Sequence, residues 1–191
     1  MKQLTNALAK RKKLLSALAL VLVICLMFYA VNAPQIVGAA ATERVLPIYC
    51  VERDNKAVSL TFDAAWGNED TQMLIDILGQ YNVKATFFLV GDWVDRYPES
   101  VKALHDAGME VMNHSNDHAH FSKLSAQEIR DNVNACCDKI ETITGQRPTL
   151  FRCPYGEYDD HVVSTINEMG IQVIQWDVDP LAAVGDMIHY K

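Results

Sequence analysis

Two histidines stand four residues apart in the segment His114-Ser-Asn-Asp-His118. On a helical turn that spacing puts both imidazoles on one side, where they can share a metal ion. Taken alone, the pair equally describes two surface histidines. Asp63 closes the run Ser59-Leu-Thr-Phe-Asp63, Arg152 precedes Pro154-Tyr155-Gly156, and Asp177 and Asp179 follow an apolar run ending at Trp176. A carboxylate can act as a general base, and positive charge is needed where an oxyanion develops. Each residue also has an ordinary reading. Asp63 can cap a helix, Arg152 and Tyr155 can be a surface pair before a turn, and Asp177 and Asp179 can be solvated loop residues.

The elements that must position these groups alternate along the chain. Residues 57–62 (AVSLTF) predict a strand ending at Asp63. A helix then carries Leu74, Ile77, Leu78 and Tyr81 on one face, with its start near Asp70. Residues 85–90 (ATFFLV) read as a strand covered on both faces, followed by a helix from Pro98 to Ala107 that Gly108 ends. Residues 110–112 predict a third strand. Ser125 and Glu128 form a capping box for a helix with Ile129, Val133, Cys136 or Cys137, and Ile140 at helical spacing. Leu150 and Phe151 predict a fourth strand, residues from Asp160 a helix with Val162, Ile166 and Met169, and residues 171–176 a fifth strand. Strand–helix units in series call for parallel strands with helices outside, as an open sheet or a barrel. In such folds functional groups collect at the C-terminal ends of strands, and Asp63, His114, His118, Arg152, Asp177 and Asp179 all fall there.

Charge and composition narrow the function. The 191 residues carry a formal net charge of -7, but residues 1–13 hold five basic side chains and no acid. The remaining 178 residues therefore hold 12 basic and 24 acidic side chains, a net of -12. Such a domain repels a polyphosphate backbone, which excludes nucleic acid as the main ligand. Residues 14–31 are free of formal charge and directly follow the Lys10–Lys13 cluster. The flanking charges predict a cytoplasmic N-terminus, with the rest of the chain outside. The segment reads as a retained signal anchor or as a cleaved signal peptide ending near 31–33 or 38–41. Residues 32–47 read as a linker and 48–191 as the exported domain. Adjacent Cys136 and Cys137 are expected to pack as small hydrophobes, and a Cys50–Cys153 disulfide stays open.

Taken in order, the segments Ser59–Asp63, His114-Ser-x-x-His118, Arg152-x-Pro154-Tyr155-Gly156 and Trp176-Asp-Val-Asp179 resemble the polysaccharide deacetylase family, the NodB-homology domain. Phe62-Asp-Ala-Ala-Trp-Gly67 resembles the bacterial sporulation-associated branch. The resemblance implies a distorted (β/α) barrel that removes N- or O-acetyl groups from cell-wall glycan, chitin-like or peptidoglycan, with a divalent metal, usually zinc. By resemblance His114 and His118 are metal ligands and Asp63 is the base that deprotonates bound water. Arg152 braces that base, and the backbone N–H of Tyr155 stabilises the oxyanion. A metal supplies the nucleophile by lowering the pKa of its water.

The chain departs from the family at three places. Ala64 stands where the family has a second aspartate, the third metal ligand, with Asp63, Asp117 and Glu69 as alternative donors. Asp179 matches the start of an Asp-x-x-Asp-Trp motif that Ala182 and Ala183 leave incomplete; Ala119 replaces a common proline. Lys191 ends the chain before the family's last strands and their catalytic histidine, for which His189 is a poor substitute. The expectation is a C-terminally truncated barrel with a weakened zinc site and low catalytic competence, or a glycan-binding envelope protein that keeps the cleft without the chemistry. Trp66, Trp93 and Trp176 are candidates for stacking on sugar, each against the alternative of a core or cleft-wall position.

Overall fold

The run at residues 86–89 is apolar on both faces, and it lies where that composition demands, inside a parallel sheet flanked by helices. The computed structural model describes residues 2–32 and 44–179. The chain divides into two compact units, Met1–Arg44 and Val45–Lys191. The first contains helix α1 (Lys2–Asn32), which extends the expected apolar helix back through the basic cluster. Its Lys10–Ala30 stretch is 21 residues, long and apolar enough to cross a membrane.

The second unit holds five parallel strands: β1 (Thr61–Ala64), β2 (Thr86–Leu89), β3 (Glu110–Asn113), β4 (Leu150–Phe151) and β5 (Gln172–Val173). They pair in chain order, β1-β2-β3-β4-β5. Helices carry the crossovers: α2 (Thr71–Gln80), α3 (Gly91–Arg96), α4 (Pro98–Asp106), α5 (Ala126–Thr144) and α6 (Asp160–Glu168). Ile48 adds a parallel bridge to Ile174 beyond β5. Among the described residues this is an open run of strands, with no pairing between β1 and β5.

Local chemistry explains the boundaries. Ser125 accepts from Glu128 N while the Glu128 carboxylate accepts from Ser125 N, so the expected capping box forms. Gly145, at φ 72°, takes the left-handed position that ends α5. Asp70 sits at the N-cap of α2 as expected but makes no side-chain cap bond. Strand β1 begins at Thr61 instead of 57: its ladder with β2 starts at the Thr61–Thr86 pair, and Val58 before it is 91% exposed. Strand β5 likewise shrinks to Gln172–Val173. Helix α3 was not anticipated; its six residues are too short to show periodicity.

Two apolar clusters hold the sheet. One gathers Phe87, Leu89, Val111, Trp93, Val101, Leu104, Cys136 and Ile140. The other gathers Phe121, Ile129, Val133, Cys137, Phe151, Val162 and Ile166. Helix α5 serves both, and its adjacent cysteines divide between them as small buried hydrophobes. Burial pushes both thiols up in pKa and keeps them protonated. Cys50 is exposed and Cys153 is fully buried, and both are free, so the disulfide left open above is not formed.

Candidate functional site

The C-terminal ends of β1, β3 and β4 bring Asp63, His114 and Arg152 together. Arg152 follows β4 directly and its side chain is only 3% exposed. Its Nη1 donates to Asp63 Oδ1 at 2.7 Å and its Nη2 to Thr61 Oγ1 at 2.9 Å. The guanidinium carbon lies 4.2 Å from the centre of the Phe88 ring and 5.7 Å from that of Trp176. Thr61, Asp63 and their β2 neighbour Phe88 share one face of the sheet, so the alternation of strand side chains builds the arginine's seat. The charge-assisted bond to the buried guanidinium fixes the carboxylate in direction.

His114 follows β3, and its Nδ1 lies 2.8 Å from the Arg152 carbonyl oxygen. A carbonyl only accepts, so Nδ1 carries the hydrogen and Nε2 presents its lone pair, 3.8 Å from Asp63 Oδ2. Burial lowers the His114 pKa against the opposing pull of Asp63, which keeps the ring neutral. His118 is also lowered, mainly by burial. Its Nδ1 is buried without a hydrogen-bond partner.

The 114–118 segment is a loop, not the helical turn the spacing suggested. Ser115 (φ 74°) and His118 (φ 58°) are left-handed, and Ser115 Oγ accepts from His118 N at 2.8 Å. This winding still sets the two imidazoles edge to face with centroids 5.0 Å apart. Asn113 anchors the loop below, donating to Val133 O and accepting from Ser115 N. Asn132 of α5 accepts from Asn116 N and donates to Asp117 Oδ1, both within 2.8 Å. Neither asparagine was singled out from sequence, where an Asn beside a loop or on a helix gives no signal of its partner.

Tyr155 also takes a left-handed conformation (φ 60°) and is 60% exposed. Its ring stands at 75° to that of His118 with centroids 4.5 Å apart, and it stacks on His120 at 4.5 Å with a 14° tilt. His120 Nδ1 pairs with Glu157 Oε2 at 2.6 Å, and Ser122 Oγ donates to the other oxygen of that carboxylate. These two bonds, Ser122 first, lower the Glu157 pKa. His120 and Glu157 were both missed in the sequence. Gly156 (φ 65°) is required here, since a Cβ would lie 2.8 Å from Trp176 Cη2.

The tryptophans separate. Trp66 is 75% exposed, with its ring 6.1 Å from His118. Trp93 is a core residue, 1% exposed, whose indole N–H donates to Gly67 O. Trp176 is half-buried beside Gly156. Asp177 is exposed and Asp179 half-buried in the segment after β5. Ala182, Ala183 and His189 lie outside the described residues.

The donor set for a divalent cation is incomplete. Ala64 brings no ligand, and one oxygen of Asp63 is committed to Arg152. Asp117 is held by Asn132 and by Ala119 N, and the Glu69 carboxylate lies over Gly67. Among the described residues no three His, Cys, Asp or Glu side chains are grouped to hold a metal ion. Two neutral imidazoles and the one remaining oxygen of Asp63 fall short of the four-ligand tetrahedral site that zinc prefers.

Comparison with known proteins gives a family. The polysaccharide deacetylase model matches residues 51–174. The peptidoglycan-N-acetylmuramic acid deacetylase PdaC of Bacillus subtilis is 40% identical over 130 residues, 68% of this chain and 27% of that protein. The peptidoglycan-N-acetylglucosamine deacetylase of Bacillus cereus is 35% identical over 126 residues, 65% of this chain and 46% of its own length. The chain thus spans about a quarter to a half of these two relatives. Among solved structures, BA3943 of Bacillus anthracis superposes with a TM-score of 0.69 at 37% identity, over 75% of this chain and 57% of that one. BA3943 is described as a CE4 family pseudoenzyme, and a mutant of it has restored enzymatic activity. With well over half its residues inside the matched region, the chain belongs to the polysaccharide deacetylase family.

Proposed function

We propose that this domain binds acetylated glycan of the bacterial cell envelope in a deacetylase-type cleft and turns it over slowly at most. The observation that carries the reading is an ordered Asp63–Arg152–His114 constellation beside an Ala64 that supplies no third ligand. Asp63 is positioned to accept a proton, with Arg152 holding it in place. Tyr155 is assigned the backbone donor to the oxyanion, by resemblance. Without a complete cation site, water lacks activation near neutral pH and the oxyanion lacks its main positive charge, which accounts for slow turnover. BA3943, a pseudoenzyme of the same family, supports this reading.

The site lies outside the cytoplasm in this reading, tethered or released by the 14–31 segment, with Lys10–Lys13 left on the cytoplasmic side. The Phe62–Gly67 segment supports a role in sporulation, which a promoter reporter followed through spore formation tests. The deciding experiment measures acetate release from N-acetylchitotetraose by the full chain, with and without zinc, alongside retention on insoluble glycan. Retention with acetate release at the blank level is expected. Zinc-dependent release at ordinary enzymatic rates, abolished by Asp63→Asn, would overturn the slow-turnover reading.

A further inference from the structure

The loop that carries both histidines is wound against its own preference. Ser115 (φ 74°) and His118 (φ 58°) are left-handed although neither is glycine, and such residues persist only where the surroundings over-determine them. Two helices supply the restraint. From α3, Gly91 N donates to Ser115 O at 2.9 Å and Asp92 N donates to Asn116 O at 2.8 Å. From α5, the Asn132 amide uses both of its ends: Oδ1 accepts from Asn116 N at 2.7 Å and Nδ2 donates to Asp117 Oδ1 at 2.8 Å. The next residue, Val133, accepts at its carbonyl from Asn113 Nδ2 at 2.8 Å, and Asn113 Oδ1 accepts from Ser115 N at 2.7 Å. Successive residues of α5 therefore grip the loop on both sides of His114.

Space is as tight as the bonding. Gly91 is buried, and a Cβ there would lie 2.5 Å from Asn116 Oδ1 and 3.0 Å from Asn116 Cα. Helix α3 approaches the loop this closely because residue 91 has no side chain. Asn132 is equally specific in its chemistry. An amide accepts from a backbone N–H and donates to a carboxylate at once; a carboxylate in its place would repel Asp117, and an apolar side chain would take this acceptor from Asn116 N. The loop ends at His118, whose ring centroid stands 5.0 Å from that of His114. What the clamp fixes is therefore the place of the second imidazole in the cleft.

From this we infer that Asn132 is a positioning residue of the cleft, assisted by Gly91: the two hold the 114–118 loop in its left-handed winding and so set where the His118 imidazole stands beside His114. Both lie outside the Asp63–Arg152–His114 constellation and act through the loop. The consequence for ligand recognition rests on the glycan-binding reading above; the hold on the loop does not.

Two readouts on the full chain in detergent test these separately. Long-range proton–nitrogen NMR, with the histidine nitrogens isotope-labelled, reports the ring environments of His114 and His118. Calorimetry with N-acetylchitotetraose reports recognition. Asn132→Ala and Gly91→Ala should each displace the His118 ring signals and weaken glycan binding about ten-fold or more. Ser125→Ala weakens the same helix at its cap, away from the loop, and should change neither readout. Asn132→Asp should behave like Asn132→Ala. Adding Asp117→Asn to it exchanges donor and acceptor across the same contact and should restore both readouts. Unmoved ring signals in Asn132→Ala, or signals displaced equally by Ser125→Ala, would overturn the positioning role. An unrescued double variant would overturn the part given to the Asp117 contact. Displaced ring signals with unchanged glycan affinity would overturn the link to recognition. If the unaltered chain binds no glycan, the glycan-binding reading falls, and the ring signals alone still decide for or against Asn132.

Discussion

Replacing Asp63 by alanine isolates the cost of an unpaired charge beneath the site. Arg152 is 3% exposed and gives one hydrogen bond to Asp63, one to Thr61, and a cation–π contact to Phe88. Breaking a fully buried pair costs ~3–5 kcal/mol, because the surviving charge keeps its desolvation penalty. The Asp63 side chain is 32% exposed, so water enters the vacated space and solvates part of the guanidinium, which brings the expected cost down to about 2–3 kcal/mol. Asp63→Asn keeps an oxygen acceptor in the same place and loses only the charge, for about 1–1.5 kcal/mol. The double variant Asp63→Ala, Arg152→Met removes both charges and should recover a large part of the single variant's loss. Urea unfolding of the full chain in detergent, followed by the fluorescence of buried Trp93, measures all three. An Asp63→Ala variant within about 0.5 kcal/mol of the unaltered chain would refute the view that this carboxylate is what makes a buried arginine tolerable.

Other outcomes follow from the same structure. Ala64→Asp, adding a carboxylate at the end of β1, should raise zinc affinity at least ten-fold by calorimetry, and His114→Ala should cancel the gain. Burial lowers the pKa of His114 and of His118, so the unfolded chain takes up protons first. The resulting stability is fully present above the unfolded value near 6.5 and is lost as pH falls below it. His114→Gln should flatten that slope in urea titrations between pH 7 and 5. Ser125→Ala removes the capping box of α5 and should cost about 1 kcal/mol. Gly156→Ala forces a left-handed alanine against Trp176 and should shift near-ultraviolet circular dichroism while leaving the far-ultraviolet spectrum unchanged.

What the sequence disclosed tracks how local each signal is. Alternating strands and helices and the Ser125–Glu128 box depend on residues a few positions apart, and they appear where expected. Asp63, His114 and Arg152 were identifiable because strand ends in a parallel sheet converge. The short β1 and β5 were over-read: the ladder of β1 starts only at Thr61, and beyond Val173 the pairing reduces to the single Ile48–Ile174 bridge. The stack of Tyr155 on His120, with Glu157 behind it, was invisible. It depends on left-handed turns at Ser115, His118 and Tyr155, residues whose types do not announce such a conformation. Trp66 and Trp93 are equivalent letters in the sequence, and only the packing of α3 distinguishes the buried one.

Strand order that equals chain order has a consequence for biogenesis. Each strand pairs with the one made just before it, so the sheet can grow unit by unit as the chain is synthesised, with no late strand wedged between earlier ones. One connection breaks this rule: Ile48, which precedes every strand, pairs with Ile174 beyond the last. Ile48 N donates to Val173 O and Ile48 O accepts from Gln175 N. The first segment of the domain therefore waits for the final strand. Until β5 is in place Ile48 has no strand to join, so closing this bridge is the last step of sheet assembly.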